Sequence, residues 1–227
     1  MRRSGGTGWL PGWQGDSVAV GTKAGLVDEP QPQSVFKHAV LESYVPRFVS
    51  MTGSASRNRR VVVVDGFAGR GRYTGGSPAS AERLLQAARD APGAGVELVL
   101  VERDQRLYAD LSQVATEYEQ QGVQVITRLG DVQDHLAEVV ERAAGVPLFL
   151  FLDPCGAQLP YTRLVSLLAK ERPAAKWPPT EVLLNFSADL TRRAGGQLRS
   201  GVPGDGVARL DAVCGSAWVA RKCTGGV

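Results

Sequence analysis

The sequence is poor in cysteine, histidine and long apolar runs, and each shortage excludes something. Its three cysteines, Cys155, Cys214 and Cys223, are widely spaced and form no C-x-x-C pair. That argues against a disulfide framework or a cysteine-rich zinc site and places the chain in a reducing, cytoplasmic setting. The two histidines, His38 and His135, have no metal-ligand spacing and read as helix-surface residues. The apolar stretch 147–152, PLFLFL, is far shorter than the ~20 residues that span a bilayer. The start MRRSGGTGWLPGW carries two arginines but no apolar h-region, so neither a signal peptide nor a membrane association is expected. No Gly-Lys-Ser/Thr occurs, which excludes a P-loop. Charge is nearly balanced at +3, a weak pull toward polyanions that decides nothing by itself.

A chain of 227 residues suits one α/β domain. Residues 1–33 are rich in glycine, proline and polar residues without apolar periodicity and read as a poorly ordered N-terminal extension. Residues 34–227 read as a single domain. SVFKHAVLESYVPRFVSM places Val35, Ala39, Leu41, Tyr44, Val45 and Phe48 near helical spacing, with Pro46 as a break or kink. GSASRNRR, 53–60, reads as a polar loop ending in a basic cluster. Strands and helices then alternate: strand Val61–Val64, a helix opening at Ser77-Pro78, strand Glu97–Val101, helix 104–121, strand Val123–Thr127, helix 132–144, strand 147–152, the helical YTRLVSLLAKER, strand Glu181–Phe186 and a last helix at about 204–213. The four consecutive valines fit a strand covered on both faces. This order predicts an α/β fold with a doubly wound, mostly parallel sheet and right-handed crossovers.

Such sheets bind ligands at the carboxyl ends of their strands, beside the switch point. The residues following each strand are therefore the informative ones. They are Asp65-Gly66-Phe67-Ala68-Gly69-Arg70-Gly71, Glu102, Gly130-Asp131 and Asp153-Pro154-Cys155-Gly156. A dinucleotide site needs G-x-G-x-x-G with the helix opening directly from the glycines. Here the third position is Thr74, Gly75 comes one residue late, and the Ser77-Pro78 helix start is several residues away.

The arrangement D-x-F-x-G-x-G, an acid closing strand two, an acid after strand three and D-P after strand four resembles class I S-adenosylmethionine-dependent methyltransferases, a Rossmann-like fold. The resemblance implies that Asp65, Phe67, Ala68, Gly69 and Gly71 face the methionine end of S-adenosylmethionine. Glycines allow close backbone approach there. Glu102 would accept the ribose hydroxyl protons and Asp131 would bond the adenine amine.

FKHAVLESYV, DGFAGRGRYTGGSP, LFLFLDPCG, LLNFS and RLDAVCGSAW together resemble the three-Cys-motif partner proteins of bacteria over about residues 35–220. That resemblance implies the same fold with a further C-terminal, winged-helix-like region. The present chain is accordingly expected to be truncated at the C-terminus and to lack the last strands of the sheet. In base-amine methyltransferases a D/N-P-P-Y/F segment holds an exocyclic amine while an aromatic residue stacks on the flipped base. Asp153 and Pro154 match that segment and are the expected catalytic residues; Cys155 and Gly156 depart from it. Stacking would then fall to Phe186 or Tyr161. Asp153-Pro154 also reads as a simple turn, and Cys155 as a nucleophile or a small packing residue. Lys37 and His38, on the leading motif, are placed to close over the cofactor. Arg57, Arg59, Arg60, Arg70 and Arg72 are candidates for nucleic-acid phosphates or for a solvated loop. Two functions follow. One is S-adenosylmethionine-dependent methyl transfer to a base amine of a nucleic acid. The other is a non-catalytic module that partners a protein encoded nearby.

Overall fold

The computed structural model describes residues 32–56, 58–91, 93–154, 161–172, 177–185, 188–201 and 206–215. The N-terminal extension over 1–31, Arg57, Cys155, Gly156, Phe186 and Cys223 lie outside the described residues. The elements are α1 (Pro32–Ala55), β1 (Arg60–Asp65), α2 (Ser80–Arg89), β2 (Gly95–Glu102), α3 (Gln105–Glu119), β3 (Gln124–Leu129), α4 (Val132–Arg142), β4 (Leu148–Leu152), α5 (Tyr161–Glu171), β5 (Thr180–Leu184), α6 (Ala188–Ser200) and α7 (Gly206–Cys214).

The five strands form one sheet in the order β3-β2-β1-β4-β5, and every pair is parallel. This is a doubly wound, Rossmann-like arrangement, as the alternation of apolar runs and amphipathic stretches predicts. β1 lies at the centre because its side chains bury in both directions. Val61 and Val63 join Leu41, Phe48, Leu84, Leu98 and Leu111 on one face. Val62 and Val64 join Val99, Val132, Leu136, Leu150 and Leu164 on the other. Helices α1, α2 and α3 cover the first face and α4 and α5 the second. The chain winds outward through β2 and β3, then crosses to β4 on the far side of β1, so the switch point lies between β1 and β4.

Several boundaries depart from the sequence reading for identifiable reasons. α1 runs through Pro46 to Ala55, although an internal proline costs about 3 kcal/mol. Leu41, Val45, Phe48 and Val49 are buried on both sides of it, and this continuous apolar face outweighs the missing hydrogen bond. The polar segment 53–55 is thereby helix, not loop. α2 begins at Ser80 with Ala79 at its cap, not at Ser77-Pro78. Residues 71–79 instead fold back on themselves: Tyr73 N donates to Ser77 O at 2.9 Å, Gly76 N to Tyr73 O at 2.8 Å, and Ala79 N to Gly71 O at 3.0 Å. Gly76 turns this hairpin at φ 80°. α6 has no counterpart in the sequence reading.

In the loop after β1 the tightest backbone approach is at Gly66. A Cβ there would lie 2.7 Å from Leu152 Cδ2 and 2.8 Å from Val132 Cγ2. Gly66→Ala should therefore lower stability by about 1–3 kcal/mol through overpacking, seen as a lower melting temperature. Gly75→Ala, with nothing within 4 Å of its Cβ, should stay within about 0.5 kcal/mol of the parent.

Candidate functional site

Because the strands are all parallel, the polar residues that follow them converge on one edge of the sheet. β1 ends in Asp65, which is fully buried and lies in register with Leu100 of β2 and Phe151 of β4. Its Oδ1 accepts the Phe67 N–H at 3.0 Å, while Oδ2 makes no hydrogen bond of ordinary geometry. Burial pushes the carboxyl up to about 7; the Phe67 N–H and the nearby Ser80 hydroxyl oppose that shift, and Asp153 adds to it.

The loop after β1 is held by main-chain and carboxylate contacts. Gly66 N donates to Phe151 O and Ala68 N to Val101 O, both at 2.9 Å. Gly69 N donates to Glu102 Oε2 at 2.9 Å, and Asp104 N donates to Glu102 Oε1 at 2.7 Å. Glu102 therefore presents a fixed carboxylate, and its own carbonyl accepts Gly130 N at 3.0 Å. The ends of β1, β2 and β3 are stitched together through this one acid. Gly69 and Gly71 adopt φ 63° and 85°, a region favoured by glycine. A Cβ at Gly69 would meet nothing within 4 Å, so its outer side is open. Ala68 is buried, and Phe67 packs partly buried against the cluster that contains Leu152.

Asp131 caps α4, its Oδ1 accepting Gln133 N at 3.0 Å; only that oxygen is used locally. Asp153 and the buried Pro154 follow β4. Asp153 forms an ion pair with Lys37 through Oδ2, and its Oδ1 accepts Asn185 Nδ2 at 2.6 Å. Asn185 follows β5, its N–H bonded to Leu152 O at 2.8 Å. All nine residues expected at the site thus lie along the same edge. Glu102 alone ties three strand ends together, whereas the Asp131 carboxylate bonds only within its own cap.

Sequence reasoning missed Asn185 because it ran the fifth strand through Phe186, whereas β5 ends at Leu184. It placed Lys37 near the cofactor without pairing it to Asp153, because no local pattern links residues 116 positions apart. His38 is buried, not a surface residue, and packs against Tyr73 with ring centroids 6.0 Å apart. Burial, then Arg83 and Lys37, hold its imidazole down to about 4, so it is neutral near pH 7.

The arginine expectation needs correction. Arg60 opens β1, at the opposite end of the sheet, and bonds Glu97 at 2.6 Å. The carbonyl of Arg59 accepts Gly95 N at the same end. Arg72 forks onto Glu82 and Glu117, each at 2.6 Å from Nη2, and Tyr118 also donates to Glu82. Arg70 lies 3.4 Å from Asp110. The side chains of Arg60, Arg70 and Arg72 are thus paired with the protein's own carboxylates, and 59 and 60 lie at the opposite edge from the loop that carries 70 and 72, so these arginines do not form one basic cluster. A cavity of about 660 Å³ bordered by Ala137, Val140, Leu167 and Trp177 also lies at the amino ends of the strands, away from these acids. Among the described residues, no helix is long and apolar enough to cross a membrane.

No protein-family model matches the chain, and no curated protein does. A solved structure, an RNA methyltransferase from Salinibacter ruber in complex with S-adenosyl-L-homocysteine, aligns with a TM-score of 0.34 and 18% identity over 63% of this chain and 71% of that one. Those values are too low to transfer anything from that protein to this chain.

The buried carboxyl makes a pH prediction. Asp65 sits near 7 in the fold against an ordinary 3.8, so between those values the folded state holds more protons than the unfolded one. Stability should fall as pH rises through that window, with a limiting slope of about 1.4 kcal/mol per unit. Asp65→Asn should flatten the fall between about pH 4 and about pH 7, measured by denaturant unfolding. An unchanged slope would mean that Asp65 is not the group responsible.

Proposed function

We propose that this chain is an S-adenosylmethionine-dependent methyltransferase acting on an exocyclic amine of a nucleic-acid base. The observation that carries the reading is the Glu102 carboxylate fixed by Gly69 and Asp104 N–H groups, beside a loop whose Gly69 side is open. The residues fit the cofactor's chemistry. Asp65 keeps a buried oxygen without a partner, suited to an ammonium such as the one on the methionine portion. The open face at Gly69 admits close backbone approach, with Phe67, Ala68 and Gly71 shaping the rest of the loop. Glu102 retains lone pairs for ribose hydroxyls, and Asp131 has an oxygen left for the adenine amine. Neither nest nor helix N-terminus is needed, since the group carries no phosphate. The resemblance to three-Cys-motif partner proteins agrees with this reading.

When bound, the cofactor supplies an electrophilic sulfonium methyl. The protein then has mainly to position the acceptor. Asp153 is oriented by Lys37 and Asn185 and accepts an N–H of the acceptor amine, which turns the nitrogen lone pair toward the methyl. Pro154 fixes the chain as it leaves β4, so the carboxylate keeps its place. Transfer would form the N–CH3 bond as the S–CH3 bond breaks and the neutral thioether leaves; the nitrogen would release one of its two protons to solvent, and Asp153 would end as it began. The alternative, a methyltransferase-like module serving a protein partner, draws on the departure from D-P-P-aromatic at Cys155 and Gly156.

Two outcomes are expected. The protein should bind S-adenosylhomocysteine with micromolar affinity and NAD far more weakly in isothermal titration; tighter NAD binding would refute the reading. Gly69→Val should abolish that binding and, because φ is 63°, also lower stability by about 1–2 kcal/mol.

Asp153→Asn keeps acceptor capacity for Lys37 but removes the charge. It should leave S-adenosylhomocysteine affinity nearly intact while transfer of labelled methyl to nucleic acid falls by orders of magnitude, kcat and kcat/KM together. Wild-type protein that binds the cofactor yet labels neither DNA nor RNA, alone or with the protein encoded nearby, would favour the partner module.

A further inference from the structure

Among the described residues, Lys37 is the cation that pairs with Asp153 at the switch point, and docking of α1 does not require it there. The helix is already anchored by buried Leu41, Val45, Phe48 and Val49, by Glu42 to Arg83 and by Tyr44 to Glu181. An ammonium only 22% exposed loses hydration, and partly buried ion pairs are seldom retained for stability alone. Its position is specific: it meets Asp153 Oδ2, while Asn185 holds Oδ1, and it also interacts favourably with Asp65. Three elements, α1, the end of β4 and the end of β5, thus grip one carboxylate.

We propose that Lys37 is a positioning residue of the transfer site, holding the Asp153 carboxylate in place and compensating the neighbouring charges of Asp65 and Asp153. The inference rests on the methyl-transfer reading for its function, but the pairing of Lys37 with the Asp153 carboxylate stands on geometry alone. The groups facing this cluster are Lys37 and His38 from α1, Asp65 from β1, Tyr73 from the loop hairpin and Asp153 after β4, with Arg83 of α2 behind His38. Burial leaves His38 neutral in the relevant range, so Lys37 is the cation that counts. Its charge opposes the upward shift of Asp65, and the Asp153 charge in turn raises Lys37 despite its burial. Asn185 adds a neutral donor that fixes orientation without altering charge.

The test compares wild type with Lys37→Met, Lys37→Gln and Lys37→Arg, using carboxyl 13C NMR of Asp65 and labelled-methyl transfer. In the Met and Gln variants the Asp65 titration should move up, and Arg should restore it. kcat should fall at least tenfold with S-adenosylhomocysteine affinity unchanged, and Arg should recover part of it. Asp65 titrating as in wild type in a folded Met or Gln variant, or full kcat in either, overturns the proposal. If Asp65 shifts as expected but wild-type protein transfers no methyl group, the charge compensation stands and the methyl-transfer reading falls.

Discussion

The position of β1 between β2 and β4 is the constraint from which the edge follows. A strand buried on both faces must be apolar until it leaves the sheet, and the four valines comply. Its last residue is then an acid with no water around it. Asp65 is tolerated because Phe67 N–H and the turn of the loop meet one oxygen, while protonation relieves the rest of the burial cost. Parallel register on either side carries Glu102 past the end of β1, close enough to seize Gly69, and sets Asp153 beside Asp65. Had any neighbour run antiparallel, its following residues would lie at the other edge.

Stability and candidate function use different charged groups, separated across the sheet. Arg60 with Glu97 ties the amino ends of β1 and β2, and Arg142 reaches the same Glu97 at 3.3 Å. Arg72, Glu82, Glu117 and Tyr118 bind the loop hairpin to α2 and α3. These clusters fix the scaffold on which the glycine loop rests. The carboxylates at the carboxyl edge keep spare acceptor capacity: Asp65 Oδ2 has no partner, and the Asp131 side chain meets a single N–H.

Much of this was legible in the sequence because strand and helix periods differ and because the turn residues punctuate them. The chain order of the five strands, and the acid or glycine following the first four, could be read directly from V-V-V-V-D-G-F-A-G, V-E-R, L-G-D and F-L-D-P. What stayed hidden has physical causes. α6 carries Gly195-Gly196 in a polar, arginine-rich stretch with few apolar residues, so helix propensity does not mark it. Pro46 is overridden by burial that only the folded core reveals. The arginines around the loop look alike in sequence, yet the sheet sends 59 and 60 to one edge and 70 and 72 to partners on α2 and α3. Lys37 meets Asp153 across 116 residues, a pairing that depends on how α1 lies over β1. Asn185 stayed hidden because the apolar Phe186 extended the strand pattern past Leu184, where β5 ends.

A crystal structure of the protein soaked with S-adenosylhomocysteine tests the central claim most directly. The account predicts the ribose hydroxyls on Glu102, the adenine amine at Asp131 and the methionine portion along Gly69–Gly71 with its ammonium toward Asp65. Density for the ligand elsewhere, such as the cavity beside Leu167 and Trp177, with the Glu102 edge empty, would contradict it.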